Sequence, residues 1–425
     1  MVVRQRELVH HIWLDIELPR YPCGTCNRKS SHSLNPQGVW SRKDAVVIGN
    51  AICKLFGALR AWKTRHNLTL ELNAYSPTDS EHWFKDWYVS TDHEGEYQEQ
   101  VEPRWDDELH VWPKEPDHRH PVGLEIEKLF HTFDIIIRES LPLVGAVDRL
   151  VIRRQLRRCI RPKSLQPIWS RLPRLEEIIY EPWRVWSMNS APSANKEFQV
   201  LVSSGLPKSL KRLSLFEDFN EKISHLFNNP PWSRVQVVRV PNPTVGAALA
   251  HKSLDLEQLS VSYMVNAEDF FHTCMPTWTW QHLQSLALTS QYLKESQKHK
   301  GISDLLYRAG KVALQMPRLH TFVLWNGTKG NACAFVYQNT GEYPEITWRG
   351  TWNLELSPVI VEVWQRLTSE IHSRQIRVKT ELIWDDIRSH GDAIHHLNLP
   401  TQVVHPASLW QIRREGALEM RGTNA

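Results

Sequence analysis

LQSLALTSQYLKESQKHKGISDLLYRAGKVALQMPRLHTFVLW, residues 283–325, carries the pattern that decides the fold. Leu283, Leu286 and Leu288 follow the spacing apolar-x-x-apolar-x-apolar of a short strand, and Leu319, Phe322 and Leu324 repeat it. Between them, Leu305, Leu306, Ala309, Val312 and Met316 recur at helical spacing, which predicts a helix from about Ser303 to Met316. Pro317 stops that helix, because it cannot supply the backbone N–H that a further turn needs. Strand, helix and strand in this order build a parallel pair.

The same template extends outward from this stretch. It fits Val147, Leu150 and Ile152; Leu175, Ile178 and Tyr180; Leu210, Leu213 and Leu215; Val235, Val238 and Val240; and Leu256, Leu259 and Val261. Successive starts lie 21 residues apart at the closest (Val235 to Leu256) and 36 at the widest (Leu283 to Leu319). A unit of that length, giving one strand and one return, is similar to an irregular leucine-rich repeat. The expected fold class is α/β: an irregular leucine-rich-repeat-like solenoid with a curved parallel sheet and a C-terminal cap.

Three regions are expected. Residues 1–145 hold N-terminal strand-helix-strand repeats, with a polar insertion at about 77–122. Val9, Ile12 and Leu14 fit the template, a helix runs from about Asp44 to Trp62 with Asp44 or Ser41 as its cap, and Leu68, Leu70 and Leu72 alternate as a strand. Leu129, Phe133 and Ile136 suggest a further helix ending before Pro142. Residues 146–330 form the repeat core, and residues 331–425 the cap. Within the cap, Phe335 to Tyr337 and Ile346 to Leu356 read as strands. Ser357-Pro358 reads as a helix start, and Leu409 and Trp410 as the contacts of a tail packed on the last repeat.

Composition narrows the class of function. The formal charge of +4 over 425 residues gives no concentrated basic face, so nucleic acid is not an expected partner. No apolar run approaches the roughly 18 residues of a membrane span. The start MVVRQRELVHHIW has no signal-peptide pattern, so an intracellular protein, cytoplasmic or nuclear, is expected. The 6 cysteines are mostly scattered and suggest no disulfide framework. Cys23 and Cys26 have CxxC spacing with His32 nearby, but a zinc site needs four ligands and no second pair follows. Neither a metal nor a cofactor is expected, and no motif for catalysis or phosphate binding stands out. The arginine-rich run DRLVIRRQLRRCIRPK, residues 148–163, reads as a solvated edge balanced by Glu176, Glu177 and Glu181.

Three phrases point to a family: RQRELVHHIWLDIELPRY (4–21), LTLELNAYSPTDSEHWFKDW (68–87) and SHGDAIHHLNLPTQVVHPASLWQIRRE (389–415). They resemble a filamentous-fungal family of F-box-type proteins with an uncharacterised, leucine-rich-repeat-like C-terminal region. The resemblance implies a non-enzymatic substrate receptor of a ubiquitin ligase. It implies a Skp-type adaptor as partner only where an F-box, with its LPxEI-type start, precedes the repeats; none precedes Arg4 in this sequence. A structural scaffold without a ligase link, or an enzyme whose site assembles only in three dimensions, are the alternatives.

On a strand, side chains alternate faces. If the template residues point into the core, the residues between them face the open side of the sheet. There Arg153, Glu181, Phe216 and Trp325 are the expected contacts to a protein ligand, with the aromatics as anchors and the charges setting complementarity.

Overall fold

The template residues become strands where their apolar positions meet a common core. The computed structural model describes residues 8–23, 37–62, 68–81, 128–186, 191–220, 223–224, 238, 240–297, 299–339, 343–372 and 375–421. Eleven of its strands join in one open sheet. β1 (His11–Glu17) and β2 (Leu68–Tyr75) pair in parallel, joined through helix α1 (Gln37–Leu59). β2 then pairs with β4 (Val147–Ile152), and β4 with β6 (Glu177–Tyr180). β7 (Arg212–Phe216), β8 (Gln258–Ser262), β9 (Ser285–Thr289) and β10 (Thr321–Thr328) follow, each parallel to the one before. β11 (Asn331–Asn339) and β12 (Pro344–Gly350) turn antiparallel, and β13 (Arg377–Leu382) closes the order parallel to β12. A separate parallel pair joins β3 (Thr132–Phe133) to β5 (Cys159–Ile160).

The result is a mixed α/β protein with a large, mostly parallel sheet. One face carries α2 (Pro162–Trp169), α3 (Ala191–Val200), α4 (Pro243–Lys252), α5 (Ala267–Thr273), α6 (His299–Ala313) and α7 (Pro358–His372), together with α1. The template residues point to this side, and Leu150, Ile178, Leu213, Leu259, Leu286 and Phe322 are all buried in its core. Helix α6 buries Leu305, Leu306, Ala309 and Val312 as their spacing requires.

Three expectations change, and a fourth lies almost wholly outside the described residues. The Val235, Val238 and Val240 repeat supplies no strand to the sheet, since β7 pairs directly with β8. Residues 235–237 lie outside the described residues, and Val240 is exposed just before Pro241 and Pro243, where α4 begins. The helix expected around Leu129, Phe133 and Ile136 is replaced by the short strand β3 and irregular chain after it, where the β-branched run Ile135, Ile136 and Ile137 lowers helix propensity. Helix α1 starts at Gln37, so Asp44 is no cap; its side chain is buried. The expected insertion lies almost wholly outside the described residues, apart from a short turn over Pro77–Ser80.

The core assignment has a direct test. Leu213→Ala should cost about 2–5 kcal/mol in denaturant unfolding, because it leaves a cavity in the helix-side core. Arg212→Ala, whose half-exposed guanidinium pairs with Glu177, should cost about 1 kcal/mol or less. Equal losses would mean the two residues share a face.

Candidate recognition surface

The sheet face away from these helices divides into rows set by the strand register. In the row nearest the strand ends where the template begins, Arg149 pairs with Glu177, Glu177 with Arg212, Arg212 with Gln258, and Gln258 with Ser285. The register carries this row on through Thr321, Gln338 and Glu345 to Arg377, and back through Thr69 to His11. Every residue in it is polar, and none is buried. Glu177 lies between two guanidinium groups, 3.3 Å from Arg149 Nε and 3.1 Å from Arg212 Nε.

In the middle of the sheet the remaining rows are covered by the chain's own C-terminal segment, whereas Trp13, Asp15 and Glu17 on β1 and Lys379 on β13 stay exposed. Val151, Ile179, Ala287 and Val323 in the next row are buried, as are Arg153, Glu181, Phe216, Ser262, Thr289 and Trp325 in the one after. Phe216, Ala287, Val323 and Trp325 form a second core with Ala393, Leu397, Val403, Val404 and Ile412. Helix α8 (His390–Leu397) lies against β10 and β11, and α9 (Pro406–Arg421) packs on α8. Glycines set both distances: a Cβ on Gly327 would stand 2.6 Å from that of Ala393, and one on Gly391 would stand 2.8 Å from the Ile412 side chain. Arg349 on β12 donates to the Leu397 carbonyl at 2.8 Å, placing positive charge at the C-terminal end of α8.

The four sequence-predicted contacts therefore sit under this segment, and the expectation that they face an open side is corrected. Trp325 and Phe216 are fully buried in the second core. Arg153 is buried against Glu71, with Nε 2.6 Å from its carboxylate. The Glu181 carboxylate accepts from the His405 N–H at 2.5 Å, from the Arg154 N–H at 3.3 Å and from the Ser408 hydroxyl. Leu409 and Trp410 belong to a tail laid along this face rather than against the last repeat alone; Leu409 packs on the second core. A signal for this was present. Val151, Ile179, Ala287 and Val323 sit between template residues, so the strands are apolar on both faces, as sheets covered on both sides are.

The arginine run is likewise corrected: its central members are buried. Arg154 donates to Asp218 through Nε and to Glu415 through both terminal nitrogens, at 3.0 and 2.7 Å. His390 Nε2 lies 2.9 Å from the other Asp218 oxygen, and its ring stacks on Phe219 at 4.2 Å. Burial works against the Asp218 charge, yet Arg154 and His390 hold its carboxyl below the usual range. Arg158 reaches Asp44 at 3.2 Å and Asp79 at 2.7 and 3.0 Å, tying α1 and the turn after β2 to the sheet. Tyr263 has a positive φ of 64° and is held there by its hydroxyl on the Gly327 carbonyl at 2.6 Å and its edge-on contacts to Phe216, Phe219 and Trp325.

Cys23 is buried, while Cys26 and His32 lie outside the described residues. Among the described residues, no group of three or more His, Cys, Asp or Glu is placed to hold a metal ion. No helix among them is long and apolar enough to cross a membrane.

A family model described as a family of unknown function (DUF6546) matches residues 205–405, from just before β7 to the end of the loop that follows α8. No curated protein and no solved structure matches the chain.

Two expected outcomes follow from the covered face. Trp325→Ala should lower stability by about 3–5 kcal/mol, the range for emptying a large buried aromatic site; a change within about 0.5 kcal/mol would mean the site is exposed. The second concerns pH. Burial pushes the Glu181 carboxyl up to about 7, against the lowering effect of its donors Ser408, His405 and Arg154. The folded chain therefore keeps a proton there that the unfolded chain releases above its ordinary value of 4.5. This contribution is full below pH 4.5 and is lost as pH rises to about 7. The stability advantage of the wild type over Glu181→Gln should shrink across that window in parallel denaturant titrations; a constant difference would contradict the assignment.

Proposed function

We propose that this chain is a non-enzymatic protein-recognition module, a leucine-rich-repeat-like solenoid resembling the substrate-binding part of a fungal F-box protein, and that its partner lies along the uncovered polar row. The row itself carries this reading: it runs across the whole sheet, from His11 to Arg377, with no residue buried, while beside it the central part of the same face is filled by the chain's own C-terminal segment. Consecutive parallel strands in chain order, each returned mostly by a helix or turn on one side, support the solenoid description. The row alternates in sign over Arg149, Glu177 and Arg212 and then becomes mainly neutral, which suits an extended peptide or a mixed-charge protein surface better than a polyanion.

The buried carboxylates Glu71, Asp79, Glu181 and Asp218 are all engaged with partners inside the chain, so they serve the fold in this account. The ligase link rests on the family resemblance and concerns a Skp-type adaptor only for a gene product that carries an F-box.

Substitutions that add bulk and charge to the row without touching an internal ion pair test the proposal. Gln258→Lys with Thr321→Lys should leave the melting temperature near that of the wild type. It should also weaken capture of the chain's binding partners in cells by about tenfold, or about 1.4 kcal/mol. An unchanged set of proximity-labelled partners in a normally folded double variant would reject the row as the binding surface.

A further inference from the structure

Among the described residues the sheet ends on β13, whose sequence Arg377-Val-Lys-Thr-Glu-Leu382 pairs with β12 alone. Most of its residues are exposed, including Val378 at 47% and Leu382 at 40%, and Trp384 just beyond it stands 87% exposed. The backbone of Ile383 donates to the Gly350 carbonyl of β12. Alternation along the strand therefore turns the N–H and C=O groups of Val378, Thr380 and Leu382 away from β12, toward the open edge. An edge of this kind is a template for another strand.

We propose that this edge pairs with β13 of a second copy of the chain, antiparallel about a two-fold axis through Thr380. The sequence of the strand selects this occupant and this register. Centred on Thr380, Val378 stands opposite Leu382 of the second copy, and Lys379 opposite its Glu381, each pair occurring twice by symmetry. Trp384 falls opposite Ile376. Apolar meets apolar on the helix side, and opposite charges meet on the other side, the favourable cross-strand combinations. Centring one residue earlier would put Lys379 against its own copy. The outward-facing groups of Val378, Thr380 and Leu382 find their partners on the same three residues of the other copy. Lys379 already lies 2.5 Å from Glu345, and Glu381 bonds Arg349 at 2.6 Å, so the new pairs continue an existing charge ladder across the axis. One strand pair buries less than the roughly 1,200 Å² of a stable complex, so the dimer is expected to be weak and concentration-dependent.

Charge complementation tests both the occupant and the register. The wild type should dimerise with rising concentration in sedimentation velocity. Lys379→Glu puts Glu opposite Glu, and Glu381→Lys puts Lys opposite Lys, so each variant alone should stay monomeric. Mixing the two should restore a dimer, because each face then meets its opposite. Thr380→Pro, which removes an outward N–H at an edge position that tolerates proline, should be monomeric with an unchanged melting curve. A wild type that stays monomeric up to millimolar concentration would overturn the proposal. So would a dimer indifferent to all three substitutions, or a variant mixture that fails to associate; capture of a different protein's strand by a monomeric wild type would assign the edge to that partner instead.

Discussion

The buried guanidinium of Arg154 is the constraint around which the rest is arranged. A charge held away from water is tolerated only when paired and hydrogen-bonded. Arg154 meets Asp218 from the loop after β7 and Glu415 from α9, and Asp218 is held in turn by His390 at the start of α8. Its ring neighbour Trp183 lies 4.6 Å from the guanidinium and donates to the Arg154 carbonyl at 2.6 Å. Such a site can be satisfied only if the C-terminal segment lies across the sheet, so the ion network fixes where that segment goes, while apolar burial under Phe216, Val323 and Trp325 supplies the driving force.

This arrangement determines which surface remains. An ion pair ties Arg153 to Glu71, and hydrogen bonds from the His405 N–H and the Ser408 hydroxyl tie Glu181 to the loop before α9 and its first turn. The middle of the second row, at Ala287, Val323 and Val336, is sealed by apolar contact. The first row stays unburied along its whole length, and the covering segment touches it at Ser285 through Thr401. The exposed edge strand β13 stands at the far end of the same sheet, where neither α8 nor α9 covers it.

Much of the sheet was legible because its information is local. Three apolar positions per strand, a helix with buried residues at three- and four-residue spacing, and Pro317 ending it are visible in a window of about forty residues, and they place β4 and β6 to β10 in order. The second core was not legible, because its determinants lie far apart: Arg154 and Glu415 are separated by 261 residues. A charge run such as residues 153–158 looks alike in solution and in a buried network until its acidic partners are located, and those came from α1, the turn after β2, the loop after β7 and α9. The Val235, Val238 and Val240 spacing shows the reverse error, a local pattern for which the sheet has no place, because β7 pairs directly with β8.

Arg154→Met, followed by hydrogen exchange and mass spectrometry, tests this account most directly. The substitution keeps much of the side-chain volume but leaves Asp218 and Glu415 buried without their cation, a loss of about 3–5 kcal/mol. Amides of α8, α9 and the loop between them should then exchange far faster, while those of β8 and β9, shielded by the helix-side core, keep their protection. Unchanged protection of the C-terminal segment in a folded Arg154→Met protein would show that the buried arginine does not hold it in place.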